Sequence, residues 1–154
     1  RLVNFIECWV THNYGRGNVQ YRYVVHDATV HEVSQEDFYK VSEAGGTMAY
    51  PAFNHVYRVA TEEYPVAETN FYLFYFGDGE LWGNDSQQIR DLLEEKAKGV
   101  FNRVGVCEVQ PSGMSNLVKT VKDVEDQVVR TAIMEKREQT ASVIQRLFSS
   151  YTSE

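Results

Sequence analysis

The chain has 154 residues, 43% hydrophobic and 24% charged, which suits one globular domain with a sizeable core and argues against disorder. Fifteen Lys and Arg against 22 Asp and Glu leave a net charge of -7, and no basic run is present that would neutralise several phosphates, which argues against nucleic acid as a partner. Cys8 and Cys107 lie far apart without C-x-x-C or Cys/His ligand spacing, no apolar stretch is long enough to span a bilayer, and the amino terminus lacks a secretory pattern, so a reducing cytoplasm is expected.

Leu2, Phe5, Ile6 and Trp9, with Val3 and Val10, recur at helical spacing until the glycine-rich exit at 13–17. Because Arg1 falls inside this helix and no methionine precedes it, residues 1–154 read as one domain truncated at its N-terminus. Residues 19–26 read as a strand, and after Asp27-Ala28 residues 29–33 read as a second, antiparallel to it. Ser34, with Asp37 three residues on, begins a short helical turn. A longer helix follows, with Pro51 in its first turn, Phe53, Val56, Tyr57, Ala60 and Tyr64 on one face, and Pro65 ending it.

The run F-Y-L-F-Y-F at 71–76 is unbroken, the pattern of a strand buried on both faces of a parallel sheet, and it leads into Gly77-Asp78-Gly79. Asp85 or Ser86 can cap a helix carrying Ile89, Leu92, Leu93 and Ala97. Residues 104–109 form the next strand, 115–122 a shorter helix and 128–134 another strand. Thr140 can cap a last amphipathic helix through Val143, Ile144, Leu147, Phe148 and Tyr151.

Strands alternating with helices predict a mostly parallel sheet covered on both faces, a three-layer α/β fold whose ligands collect at the carboxyl ends of the strands. Two loops reach that edge, one with Gly45-Gly46-Thr47 and one with Asp78. Taken alone, Asp78 between glycines serves a turn and Thr47 caps a helix. Together, a hydroxyl and a carboxylate are hard oxygen ligands of the kind Mg²⁺ or a similar divalent cation takes, with waters and a partner's carboxylate completing the octahedron. Glu80 and Trp82 are expected to border the same mouth.

G-G-T at 45–47 before a helix, and an apolar strand ending in Asp78-Gly79, resemble the second and third loops of the von Willebrand factor A metal-ion-dependent adhesion site. E-A-G-G-T at 43–47, Tyr64-Pro65, F-Y-F-G-D-G-E-L-W at 74–82 and R-D-L-L-E at 90–94 resemble more closely the YeaH/YhbH family, over nearly the whole chain. That resemblance implies a von Willebrand factor A-like, Rossmann-like domain in a stress or sporulation complex, associated with a PrkA-type serine protein kinase and SpoVR-like proteins. It implies Thr47 and Asp78 as metal ligands, and Gly45, Gly46, Glu80 and Trp82 as the partner-binding rim.

The chain departs from the family pattern at Gly77, Glu80 and Leu81, where Ser, Asp and Asn are usual, and the D-x-S-x-S first loop is absent. In the family that motif ends the strand before the first helix, so the first strand and three ligands are missing here. The same topology places that strand between residues 19–26 and 71–76. This chain is therefore expected to receive a strand from an upstream segment or a neighbouring copy, giving a homo-oligomer by strand exchange, or to pair those two strands directly.

Gly77-Asp78-Gly79 followed by Asn84-Asp85 also suggests a metal-dependent phosphohydrolase of haloacid-dehalogenase type. Its spacing is off by three residues and no upstream D-x-D nucleophile is present, so a binding module rather than an enzyme is the favoured reading. The four histidines lack ligand spacing, both cysteines are expected in the core, and Glu62-Glu63 and Glu94-Glu95 read as solvated helix faces.

Overall fold

In the computed structural model, residues 2–41 and 48–150 are described. Helix α1 (Leu2–Tyr14) buries Leu2, Ile6 and Val10, a stripe at spacing four. Strands β1 (Tyr23–His26) and β2 (Val30–Val33) form an antiparallel hairpin with Tyr23 opposite Val33 and His26 opposite Val30. The predicted strand at 19–26 is thus shortened to its second half. Its ladder extends only as far as β2, which ends where Ser34 caps helix α2 (Gln35–Lys40) by accepting the Asp37 amide at 3.1 Å.

Helix α3 (Tyr50–Glu63) starts with Pro51 in its first turn, as predicted, and buries Ala52, Phe53 and Ala60. Then come β3 (Tyr72–Gly77), α4 (Asp85–Glu95), β4 (Arg103–Val109), α5 (Leu117–Val121), β5 (Val129–Met134) and α6 (Thr140–Phe148). Strands β3, β4 and β5 form a parallel sheet in that order, with Tyr72 opposite Arg103 and Val104 opposite Val129. Helices α3, α4 and α5 pack on one face through Phe53, Ile89, Leu93, Leu117 and Val121 against Val104, Val106 and Val129. Helices α1 and α6 contribute Leu2, Val143 and Leu147 to a second cluster with Cys107 and Ala132. The alternation of β4 side chains between these clusters makes the predicted three layers. Among the described residues no helix is long and apolar enough to cross a membrane.

Three expectations are corrected. The hairpin and the parallel sheet are separate sheets, so 19–26 and 71–76 do not pair directly. A groove of about 1270 Å³ lies between them, lined by β1, β3, α1 and α3. All six residues of β3 are half-buried while Val104–Glu108 of β4 are buried, because among the described residues no strand pairs with the outer edge of β3. Side chains span the groove instead: His26 Nε2 lies 3.1 Å from the Tyr75 hydroxyl, and the Tyr14 and Tyr72 hydroxyls hydrogen-bond. Cys8 is exposed and only Cys107 is buried, since α1 turns Ile6 and Val10 inward and leaves position 8 outside. Thr140 opens α6 without capping it, its hydroxyl donating back to the Arg137 carbonyl at 2.7 Å.

Candidate functional site

Three parallel strands bring their carboxyl ends to one edge, where the loops after β3 and β4 interlock. The Asn116 amide donates to the Gly79 carbonyl at 2.8 Å, the Asn116 side-chain amide to the Leu81 carbonyl at 2.8 Å, and the Ser112 hydroxyl to Glu80 Oε2 at 3.0 Å. Leu81 is buried and pins the loop to the core, which leaves Trp82 displayed, 65% exposed. Asp78 is exposed at the head of this loop and its Oδ1 accepts the Glu80 amide at 3.0 Å. Asp78, Glu80 and Trp82 thus lie on the one loop that follows β3.

Gly45, Gly46 and Thr47 lie outside the described residues. The segment that follows them is held to this edge by a residue the sequence does not reveal as its anchor. Asp85 has no exposed surface, and its carboxylate accepts the Ala49 amide at 2.6 Å and the Tyr50 amide at 3.1 Å. Asp85 was expected to cap its own helix α4. It instead satisfies amides at the start of α3, where a helix leaves unpaired donors and partial positive charge.

Glu108 is a second buried carboxylate, 3% exposed, accepting the Val118 amide at 2.8 Å in the first turn of α5. Gly79 lies against it at φ 76, where any Cβ would overlap the Glu108 carboxylate, so both its backbone and its space require glycine. At Gly77 a Cβ would come within 2.5 Å of the Tyr75 hydroxyl.

The Tyr75 phenol and the His26 imidazole stack with centroids 5.6 Å apart, directly beneath these acids. Burial raises the Tyr75 pKa, helped by the charges of Asp78, Asp85 and Glu108. Burial also lowers the His26 pKa, against the opposing pull of Asp85 and Asp78. Folded His26 thus stays neutral where the unfolded side chain already takes a proton. Its contribution is present above the unfolded value of roughly 6.5 and is lost as pH falls toward the folded one. Thermal melting between about pH 7.5 and 5.5 should show stability falling, with a shallower fall in His26→Gln. Equal slopes in the two proteins would disprove the burial assignment.

Of the predicted metal ligands only Asp78 lies within the described residues, and among those residues no group of three or more His, Cys, Asp or Glu is placed to hold an ion. By themselves they do not fit a divalent cation, which needs six or more oxygens. Burial, with the Glu108 charge, pushes the Cys107 thiol up to about 12, out of the range of a reactive thiolate.

A three-stranded parallel sheet with helices packed on both faces defines an α/β domain. The chain belongs to the DUF444 family, described as a protein of unknown function, whose profile matches residues 2–151. The YeaH/YhbH resemblance agrees with that membership. Relatives called UPF0229 protein in Yersinia pestis strain Pestoides F and in Yersinia pseudotuberculosis serotypes O:1b and O:3 are each 29% identical over 121 residues. That stretch covers 79% of this chain and 28% of each relative, so the matched part is less than a third of their length. No solved structure matches.

Proposed function

We propose that this domain is a non-enzymatic protein-binding module of von Willebrand factor A-like topology, acting in the cytoplasm, that engages its partner at the rim formed by Asp78, Glu80 and Trp82. The exposed Trp82 beside two loop carboxylates supports this reading most strongly. Large aromatics supply much of the energy of protein interfaces, and a rigid loop presents one without ordering cost. The fixed charges give the surface a preference for a basic, apolar-edged counterpart. By family resemblance, a PrkA-type serine protein kinase and a SpoVR-like protein of a stress or sporulation complex are the partners to try.

A Mg²⁺-type cation would be held through Thr47 and Asp78, supplying a Lewis-acidic bridge to a partner's carboxylate. The described residues do not complete that site, so the contact proposed here rests on the loop itself. Immobilised chain should retain one of the two partners, with Trp82→Ala weakening binding by about thirtyfold or more and Asp78→Asn by about tenfold. Binding unchanged by both substitutions would end the rim reading, while sensitivity to EDTA would add the cation to it. With p-nitrophenyl phosphate and Mg²⁺ no hydrolysis is expected, and turnover abolished by Asp78→Asn would replace the binding module with the phosphohydrolase.

A further inference from the structure

We propose that the carboxyl edge of the parallel sheet docks an amphipathic helix with Lys or Arg flanking its apolar face, an inference that rests on the rim reading and specifies its partner. Four large apolar side chains stand exposed on the segments at this edge: Met48 at 50%, Trp82 at 65%, Met114 at 72% and Ile133 at 46%. Hydrogen bonds tie those segments together in series. Asp85, whose amide donates to the Trp82 carbonyl at 3.2 Å, accepts the amides of Ala49 and Tyr50, which directly follow Met48. Asn116 and Ser112 join the Met114 loop to Gly79, Leu81 and Glu80. Ile133 pairs in register with Glu108, and the Gln110 amide donates to the Met134 carbonyl at 2.7 Å, so the end of β5 adjoins the base of the Met114 loop. Among the described residues Gln110 alone, glycines aside, has a positive φ, 48, so backbone strain is held where this loop leaves β4.

Single exposed apolar residues are ordinary on a surface, whereas several carried on segments bonded to one another mark a contact site. Two of the chain's three methionines are among them, unbranched side chains that adapt to the shape of an apolar partner. The partner's charge follows from the loops. Residues 77–88 and 110–118 include Asp78, Glu80 and buried Asp85 but no Lys or Arg, and buried Glu108 adds its charge beneath them. A cationic flank is attracted to this edge and an acidic one repelled. The partner's helical form follows from where the strands end. Backbone groups of a sheet point sideways from its strands, so their carboxyl ends offer an incoming strand no ladder. An extended segment would bury its own amides unpaired against Trp82 and Met114, while a helix pairs them internally and contributes side chains alone. The spacing agrees: neighbouring strands lie about 4.8 Å apart, so β3 to β5 spans about 10 Å. Positions i, i+4 and i+7 of a helix advance by about 6 and 10.5 Å.

Three fluorescein-labelled peptides of about sixteen residues are titrated against the whole chain, with anisotropy as readout. The first carries Leu at helical spacing with Lys on the remaining face, the second orders the same residues so that Leu falls at every second position, and the third is the first with Glu in place of Lys. The first is expected to bind and to gain helical circular dichroism as it does so, and the other two to bind at least about tenfold more weakly. Trp82→Ala and Met114→Ala should each weaken the first peptide by about fivefold or more. Phe5→Ala, which removes an apolar side chain of α1 exposed to a similar degree, should leave it unchanged. Equal binding of the first two peptides, or an equal effect of Phe5→Ala and Met114→Ala, overturns the proposal. If the first peptide fails to bind while Trp82→Ala still weakens retention of the kinase or the SpoVR-like protein, the helix is overturned and the rim reading stands. If the first peptide binds regardless of Trp82→Ala, both are overturned.

Discussion

Replacing Asp85 with alanine is expected to lower the unfolding free energy by about 2–4 kcal/mol, seen as a lower urea midpoint at unchanged slope. The carboxylate is fully enclosed and accepts amides of Ala49 and Tyr50, the first of which belongs to a residue that is itself fully buried. Hydrogen bonds to a charged acceptor contribute roughly 1.5–3 kcal/mol each, and a buried donor left without one loses its full hydration. Removing the carboxylate also relieves the cost of burying a charge, which keeps the net figure below the sum of the two bonds. Asp85→Asn keeps one acceptor and should lose about half as much. A loss under about 1 kcal/mol in the alanine variant would show that the amides find other partners. Because this contact fixes where α3 begins, the same variant should raise hydrogen exchange at the first turn of α3 before it affects β4.

The same residue shows where reading the sequence succeeds and where it stops. Helix α3 and strands β4 and β5 are legible because their apolar residues repeat at the period of the element they form. The turn at Asp78 is legible because an apolar run ending in Gly-Asp-Gly has to turn at the end of a strand. Asp85 misleads, since an aspartate before a helix looks like that helix's cap. The amides it serves belong to residues 49 and 50, and nothing local announces a partner that far back. His26 is equally silent, its contact with Tyr75 spanning 49 positions. Glu108 leaves a usable signal, a carboxylate set between Cys107 and Val109 in the strand R-V-G-V-C-E-V, which calls for a buried partner and finds it in the amide of Val118. The run at 71–76 carries the composition of a central strand while standing at an edge.

At the opposite end of the sheet, Glu125→Ala is expected to destabilise the domain by about 3–5 kcal/mol, a fall in melting temperature on the order of 10 °C. Glu125 and Arg130 are each 6% exposed, with Arg130 Nε 3.5 Å from Glu125 Oε1, and that oxygen also accepts the Thr131 amide at 3.1 Å. Arg146 reaches the same oxygen at 3.3 Å from the surface. The cations around it serve α6: Arg103 donates to the carbonyls of Leu147 at 2.7 Å and Ser149 at 2.9 Å, and Arg130 to Ser149 at 2.9 Å. Positive groups belong at a helix carboxyl end, but burying two of them together is costly, and the Arg103 pKa is lowered by burial and by Arg130. Glu125 supplies the counter-charge of buried Arg130, so its loss leaves that guanidinium near Arg103 in a poorly hydrated site without the carboxylate. Arg146→Ala removes the half-exposed partner together with its hydrogen bond to the Thr131 carbonyl at 2.7 Å, and should cost only about 1 kcal/mol. If α6 is held chiefly by Leu147 and Val143 in the core, Glu125→Ala and Arg146→Ala will be equally mild. If the arginines hold it, Glu125→Ala will speed amide exchange in the last turn of α6 as it lowers global stability, and Arg146→Ala will do neither.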